Sequence, residues 1–315
     1  MSTMMDAQRG FVHAALFYRS EQEYLDAVLP YLLDGLEADQ PVLVAVPGDN
    51  LALVTDALGL AASRASLHDS AEVGRNPARL LALEARFIAE HPGRVPRMVG
   101  ETIWPARTVE EYPACVQHEA LVNSAFVDHQ AIGLCPFDAG GLDEGALADA
   151  RNTHPLLWQD GSLQASDDYA PEEALERYNQ PLTNDGTGAS YIVGKVTDLS
   201  AARSLAGRYA SWVGLPADAV AAVQLIVNEL ATNSLQHANS DCRLAFWRRN
   251  GHLVCEARDR GRMEDPLAGR LPPKPGDVGG RGLFLVNELA DLVRRYTTPE
   301  GTTIQAHLRL APAPG

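Results

Sequence analysis

The sequence predicts two α/β domains, of which the first alternates strands with helices and the second is a layered sandwich of helices and mostly antiparallel strands. The chain has 315 residues, a length that suits two domains with separate cores. Apolar strand-like runs alternate with helical spacing, and the composition shifts to turn formers and acids between positions 160 and 190. We therefore expect a first domain at 1–165, a linker at 166–189 and a second domain at 190–315.

The first half opens with a strand, helix and strand in succession. Phe11–Tyr18 has a strand-like pattern, and Glu21–Glu37 has the apolar spacing of a helix. The continuous apolar run Pro41–Val46 suits a central strand of a parallel sheet. The same alternation then predicts helices at Pro77–His91 and Val109–Phe126 and a strand at Ala131–Cys135.

The second half begins with helices and ends with strands. Helical spacing covers Leu199–Val213 and a longer stretch from Leu215 to Ala238, with Pro216 and Asp218 suitably placed in its first turn. Downstream we expect strands at Arg243–Trp247 and Leu253–Asp259, a helix at Gly282–Val293, and strands at Arg294–Thr297 and Thr302–Leu310.

Composition and charge exclude several classes of protein. No apolar run is long enough to span a membrane, and no signal peptide is visible, so we expect a cytoplasmic protein without membrane contact. The four cysteines lack CxxC spacing, which favours buried free thiols. Residues 1–189 carry 11 arginines and 29 acids, whereas residues 190–315 carry 15 basic and 12 acidic residues. We therefore expect no nucleic-acid binding, and an anionic ligand suits only the second half.

A row of polar side chains interrupts the longest helix of the second half. Glu229, Asn233 and His237 recur every four residues and share one helix face beside an apolar stripe. On a lone helix this pattern favours a solvated face, and a histidine at a helix end is more often a local packing residue than a ligand. The row therefore needs support from elsewhere in the sequence.

Two downstream segments supply that support. Asp259 and Gly261 follow a predicted strand, where a carboxylate accepts hydrogen bonds from an exocyclic amine and a glycine admits a flat ring. Gly279, Gly280 and Gly282 precede a helix, whose free N–H groups attract phosphates. Each segment alone is weak, but their order along the chain is specific.

Together these motifs resemble those of the GHKL ATPases, and "VNELATNSLQHA" with "GGRGLFLVNELAD" is most similar to the anti-sigma-factor serine kinases. The resemblance covers about Tyr191–Leu310 and implies ATP and Mg²⁺ as ligands. It implies that Glu229 is the general base and that the Asn233 oxygen binds Mg²⁺. It implies that Asp259 and Gly261 recognise adenine, with Thr302 or Thr303 nearby. It also implies a proline-rich lid at about Met263–Gly279. The triphosphate loop would include Gly279, Gly280, Arg281 and Gly282.

The first half resembles the MEDS sensory domain, which is related to RecA-like α/β folds. The motifs that carry this resemblance are "HAALFY", "RMVGETIW", "HEALVN", "LCPFD" and "THP", within about Phe11–Leu157. At strand ends their polar residues would form a pocket for a small-molecule signal. The candidates are His13, Tyr18, Arg97, Glu101, Trp104, Glu119, Cys135 and His154. A metal is not expected, because His13, Cys135 and His154 have no ligand spacing in sequence.

These resemblances imply a cytoplasmic regulator in which a sensory domain precedes an ATP-binding serine/threonine protein kinase. Its partners would be a sigma factor or an anti-sigma antagonist, and the sequence leaves homodimer formation open. One alternative is an ATP-binding module that sequesters a partner without catalysis. Another is a sensor histidine kinase phosphorylated at His118, although Asn123 replaces the proline expected five residues later.

Overall fold

The computed structural model describes residues 10–159, 161–184, 186, 188–238, 240–274 and 280–310. The chain divides into two compact units, and the division falls between Tyr178 and Asn179. Each unit combines helices with one β-sheet, which confirms the predicted α/β fold class. All four cysteines are buried free thiols, as the sequence predicted.

A seven-stranded sheet with the order β3-β2-β4-β5-β1-β6-β7 forms the centre of the first unit. Neighbouring strands are parallel except β6 and β7, which are antiparallel. The continuous apolar runs of β1, β2 and β5 are buried, as expected for strands covered on both faces. The strands are β1 (Val12–Tyr18), β2 (Val42–Val46), β3 (Ser66–Asp69), β4 (Arg97–Gly100), β5 (Ile132–Asp138), β6 (Leu156–Gln159) and β7 (Ser162–Ala165).

Helices pack on both faces of this sheet and form two cores. Val12, Ala14 and Leu16 of β1 belong to the core shared with α1, whereas Ala15 belongs to the core shared with α5 and α6. Because side chains alternate along a strand, His13 lies on the same face as Ala15. The helices are α1 (Glu21–Glu37), α2 (Gly48–Leu58), α3 (Ser70–Val73), α4 (Pro77–Glu90), α5 (Tyr112–Ala125), α6 (Glu144–Thr153) and α7 (Pro171–Arg177).

Two differences from the sequence prediction affect the core of the first unit. Strand β5 continues three residues beyond Cys135, through Pro136, because Phe137 is buried in the core with α5. The stretch predicted as a linker contains helix α7, whose Ala174 is fully buried in that same core. Ala174 is a single small apolar residue in an acidic segment, so the sequence pattern does not indicate that this helix packs on the core.

The second unit is a five-stranded antiparallel sheet, with the order β11-β12-β10-β9-β8, packed against three helices. Ile226 and Val227 of the central helix are fully buried in this core. The strands are β8 (Ala189–Val193), β9 (Cys242–Arg249), β10 (His252–Asp259), β11 (Leu292–Thr298) and β12 (Gly301–Arg309), and the helices are α8 (Leu199–Trp212), α9 (Ala217–Asn233) and α10 (Arg281–Leu289).

Two predicted helices end earlier than expected. Helix α9 stops at Asn233 and continues as a π-helical turn, Ser234–Ala238. This wider turn changes the angular position of His237, so the simple spacing of four residues does not hold beyond Asn233. Helix α10 stops at Leu289 because Ala290 adopts an extended conformation that leads into β11. Among the described helices, none combines the length and apolar character needed to cross a bilayer.

Candidate functional site

A cavity of about 580 Å³ opens between α9, the end of β10, β12 and the start of α10. Its volume falls within the range of ordinary small-molecule sites. Predicted site residues from four separate elements line it, and His237 also contributes to the wall. The predicted residues are Asn233, Asp259, Gly261, Gly280 and Thr302.

Asn233 and Glu229 occupy successive turns at the end of α9. The Asn233 amide nitrogen is buried and has no hydrogen-bond partner among the described residues. Glu229 is half-buried, and its Oε1 accepts a hydrogen bond from Asn228 at 3.2 Å. Asn233 is among the residues that line the cavity, whereas Glu229 is not. The carboxylate therefore lies beside the cavity rather than in its wall.

Asp259 ends strand β10 and is held by two hydrogen bonds. Ser234 Oγ donates to Asp259 Oδ2 at 2.6 Å, and the Gly261 N–H donates to Asp259 Oδ1 at 2.8 Å. These contacts fix the carboxylate at the cavity wall. Gly261 also packs directly on the π-helical turn, since a Cβ there would lie 2.5 Å from the Ala238 Cβ.

Of the two threonines that the sequence left open, Thr302 lines the cavity. Thr302 pairs with Asp259 across the sheet and donates a hydrogen bond to the Gly261 carbonyl at 2.7 Å. Thr303 pairs with Arg258 and, because side chains alternate, faces the other side of the sheet. The geometry therefore favours Thr302.

The glycine-rich loop leads into α10 beside Glu229. Gly280 adopts a left-handed conformation, with φ of 81°, at the N-cap of α10. A Cβ at Gly282 would lie 2.5 Å from Glu229 Oε2, so only glycine permits this approach of the carboxylate to the helix N-terminus. Arg281 is exposed, and Gly279 lies outside the described residues.

The part of the predicted lid that the structure describes, residues 263–274, covers one side of the cavity. Asn287 of α10 donates a hydrogen bond to the Gly269 carbonyl at 2.8 Å. Arg295 of β11 donates to the Pro266 carbonyl and contacts the Met263 sulfur. This half of the lid is therefore anchored to the body of the unit.

In the first unit, the residues predicted as one sensory pocket do not form one group. Tyr18 donates a hydrogen bond to Glu101 Oε1 at 3.1 Å, and Asn50 donates to Glu101 Oε2 at 2.8 Å. This group lies at the carboxyl ends of strands, where open α/β sheets bind ligands. Burial raises the pKa of Glu101 to about 7, although both hydrogen bonds oppose the shift.

A second, fully buried group contains His13, Glu119, Cys135 and His154, whose ligand atoms all lie within 4.8 Å of one another. Sequence spacing gave no reason to expect this proximity, because the four residues come from β1, α5, β5 and the segment before β6. The parallel sheet brings β1 between β5 and β6 and thereby assembles the group.

Two predicted pocket residues lie apart from both groups. Arg97 is 1% exposed on the α1 side of the sheet, where it donates to the Tyr31 carbonyl at 3.1 Å. Trp104 stacks on Arg107, whose guanidinium carbon lies 3.7 Å from a Trp104 ring centroid. The prediction of a single pocket is therefore wrong for these two residues.

Comparison with known families identifies both units. Residues 12–155 match the family described as methanogen/methylotroph, DcmR sensory domain (MEDS). Residues 192–308 match the histidine kinase-like ATPase domain. The chain therefore contains a MEDS domain at 12–155 and, after it, a histidine kinase-like ATPase domain at 192–308. Both resemblances seen in the sequence are thereby confirmed.

The comparison with curated protein sequences found no match to the chain. Among solved structures, the chain is similar to the RsbU and RsbW domains of Rv1364c from Mycobacterium tuberculosis. The identity is 16%, the TM-score is 0.30, and the match covers 40% of this chain and 34% of that one. The matched region thus spans about a third of the solved structure.

The cavity of the ATPase domain fits ATP and Mg²⁺. Asn233 lies in the cavity wall, and an amide oxygen is a ligand type that Mg²⁺ accepts. Asp259 is held in place as an acceptor for an exocyclic amine, and Gly280 precedes a helix N-terminus suited to phosphate.

Sequence reasoning missed Ser234 in the ATPase domain and Asn50 in the MEDS domain. Ser234 anchors Asp259, and Asn50 anchors Glu101. Neither residue stands out in sequence, because serine and asparagine are common on exposed helix turns. Only the fold shows which carboxylate each one contacts.

Proposed function

We propose that the chain is an ATP-dependent serine/threonine protein kinase of the GHKL type that acts by partner switching. The kinase would either phosphorylate an anti-sigma antagonist protein or bind a sigma factor. The MEDS domain would respond to a small-molecule signal. The observation that carries the proposal is the cavity at which Asn233, Asp259, Gly261 and Thr302 meet.

Each residue has a distinct part in the proposed reaction. Asp259 would accept a hydrogen bond from the adenine amine, with Thr302 beside it. The Asn233 oxygen would bind Mg²⁺, which neutralises charge on the transferred phosphoryl group. Glu229 would take the proton of the attacking hydroxyl as that oxygen bonds to the γ-phosphorus and ADP leaves.

Nucleotide binding is tested by calorimetric titration of ATP with Mg²⁺ into the wild type and Asn233→Ala. We expect at least a tenfold loss of Mg²⁺-dependent affinity, because the side chain supplies the only ligand that we assign to the ion. Gln236→Ala removes an exposed amide from the adjacent π-helical turn and is the matched control. Unchanged binding in Asn233→Ala would remove the metal role of this residue.

Catalysis is tested separately with Glu229→Gln and labelled ATP in the presence of a candidate antagonist protein. We expect ATP binding within about threefold of the wild type but phosphotransfer reduced by about 10²–10⁴-fold. Asp218→Asn, at the exposed start of α9, should retain both activities. Equal transfer by Glu229→Gln and the wild type would refute the role as general base.

A second candidate function is an ATP-binding module that sequesters its partner without phosphotransfer. The position of Glu229 beside the cavity, rather than in its wall, favours this alternative. It predicts that ATP binds normally while the wild type transfers no phosphate to any antagonist.

The histidine kinase alternative is disfavoured by the position of His118. This residue is 2% exposed on α5, and its Nε2 lies 3.9 Å from Glu84 Oε1. A phosphoacceptor histidine must reach the γ-phosphate of ATP, which this burial prevents.

A further inference from the structure

His13, Glu119, Cys135 and His154 form a buried polar group. Neither domain assignment explains why these side chains lie together in the core. All four side chains are at most 8% exposed. Both carboxylate oxygens of Glu119, and Nε2 of His154, have no hydrogen-bond partner among the described residues. Buried polar atoms without partners are costly, so a group of them in one place indicates a missing ligand.

The hydrogen bonds around the two histidines determine which nitrogen carries the proton. The Asn123 amide nitrogen donates to the Thr153 carbonyl at 2.8 Å, which turns Asn123 Oδ1 toward His13 Nδ1 at 3.0 Å. Since Oδ1 only accepts, His13 Nδ1 donates, and in the neutral imidazole Nε2 then keeps a lone pair. His154 Nδ1 donates to the Ala150 carbonyl at 2.8 Å, which likewise leaves a lone pair on its Nε2.

The Nε2 atoms of both histidines lie close to the Glu119 carboxylate, and the Cys135 sulfur lies beside His13 Nε2. Glu119 Oε2 lies 3.6 Å from His13 Nε2 and 3.5 Å from His154 Nε2, while Cys135 Sγ lies 3.3 Å from His13 Nε2. In a tetrahedral site with zinc bonds of 2.0 to 2.3 Å, neighbouring ligand atoms are about 3.3–3.8 Å apart. These three separations fall in this range, and all six pairs of ligand atoms lie within 4.8 Å.

We propose that His13, Glu119, Cys135 and His154 form a four-ligand, closed site for a zinc-class divalent transition-metal ion. Two imidazoles, a thiolate and a carboxylate are a ligand set that favours zinc over magnesium or calcium. The His13 and His154 rings now lie 3.9 Å apart, so binding would rotate them until both lone pairs point at one ion. Cys135 would release its proton on binding, and the ion would join α5 to β1, β5 and the segment before β6.

A nucleophilic triad is the competing explanation for three of these residues. Cys135, His13 and Asn123 have the order of contacts found in cysteine enzymes, with the histidine between thiol and amide. However, Cys135 is only 8% exposed, and burial with nearby Glu119 raises its thiol pKa well above the usual value. A nucleophilic cysteine requires the opposite environment.

The proposal is tested with the full chain, stripped by a chelator under reducing conditions and titrated with Co²⁺ in excess Mg²⁺. We expect one equivalent of Co²⁺ with tetrahedral visible bands and a thiolate-to-cobalt band, all displaced by one equivalent of Zn²⁺. Cys135→Ser should lose the thiolate band. Cys115→Ser removes a buried thiol outside the group and should keep it.

A substitution of Asn123, which is not a proposed ligand, tests the site independently. Asn123→Ala removes the hydrogen bond that orients His13 and should weaken zinc binding by about 10–100-fold, while the thiolate band remains. The wild-type spectrum decides the question even where a variant does not fold. Absence of the thiolate band from the wild type, or its persistence in Cys135→Ser, would overturn the proposed site.

Discussion

At the scale of single residues, two glycines determine how closely the parts of the ATPase cavity approach. Gly261 lets the turn after β10 contact Ala238, and Gly282 lets the first turn of α10 contact Glu229. In each case a Cβ would come within 2.5 Å of its neighbour. A side chain at position 261 would collide with the backbone of Ala238, whereas a side chain at position 282 would displace the Glu229 carboxylate.

Glu101 gives a pH-dependent prediction for the MEDS domain. Its pKa rises from 4.5 to about 7 through burial, so the folded carboxyl keeps its proton when the unfolded one has lost it. Stability should therefore fall by about 3 kcal/mol as pH rises from about 4.5 to 7, and then level off. Glu101→Gln should lack this decline in calorimetry of the full chain. Glu90→Gln, at an exposed site, should retain it, and parallel curves for the wild type and Glu101→Gln would contradict the shift.

At the scale of elements, apolar periodicity predicted the helices and strands that carry most of the burial. Helix α1 has the predicted limits, whereas β4 is a strand that periodicity did not reveal, because four residues give too little pattern. Because the ATPase motifs are local in sequence, five of the residues that they suggested line the cavity: Asn233, Asp259, Gly261, Gly280 and Thr302. The buried group around Glu119 could not be predicted, because its four ligands come from distant segments that only the strand order joins.

The lid gives a prediction at this scale. Asn287 is 8% exposed and donates hydrogen bonds to the carbonyls of Gly269 and Leu283. Asn287→Ala removes the link to Gly269, which contributes about 1 kcal/mol. Trypsin should therefore cleave after Arg270 about fivefold faster in the absence of ATP, as measured by mass spectrometry. Leu285→Ala, on the exposed face of α10, is the control, and equal cleavage of both variants would show that the lid is held elsewhere.

At the scale of the whole molecule, the two units differ in chemistry as well as in topology. The first is strongly acidic and is built on a mostly parallel sheet, whereas the second carries a slight excess of basic residues on an antiparallel sheet. The expected domain limits remain a prediction, and the structure indicates a revision of one of them. Residues from 179 onward contact the ATPase domain, although the sequence placed them in a linker.

This difference in limits can be measured by comparing two fragments, 179–315 and 190–315. Asn179 exchanges hydrogen bonds with the Thr297 backbone, the Thr183 carbonyl accepts from Gln305, and Asn184 donates to Glu256 at 2.7 Å. Glu256 is 7% exposed, so removal of Asn184 leaves a buried carboxylate with one partner fewer, at a cost of about 1.5–3 kcal/mol. We therefore expect fragment 190–315 to unfold at a clearly lower urea concentration than fragment 179–315. Asn184→Ala in the longer fragment should reproduce part of that loss of stability. Equal urea midpoints for the two fragments would show that residues 179–189 do not stabilise the ATPase domain and belong to the linker.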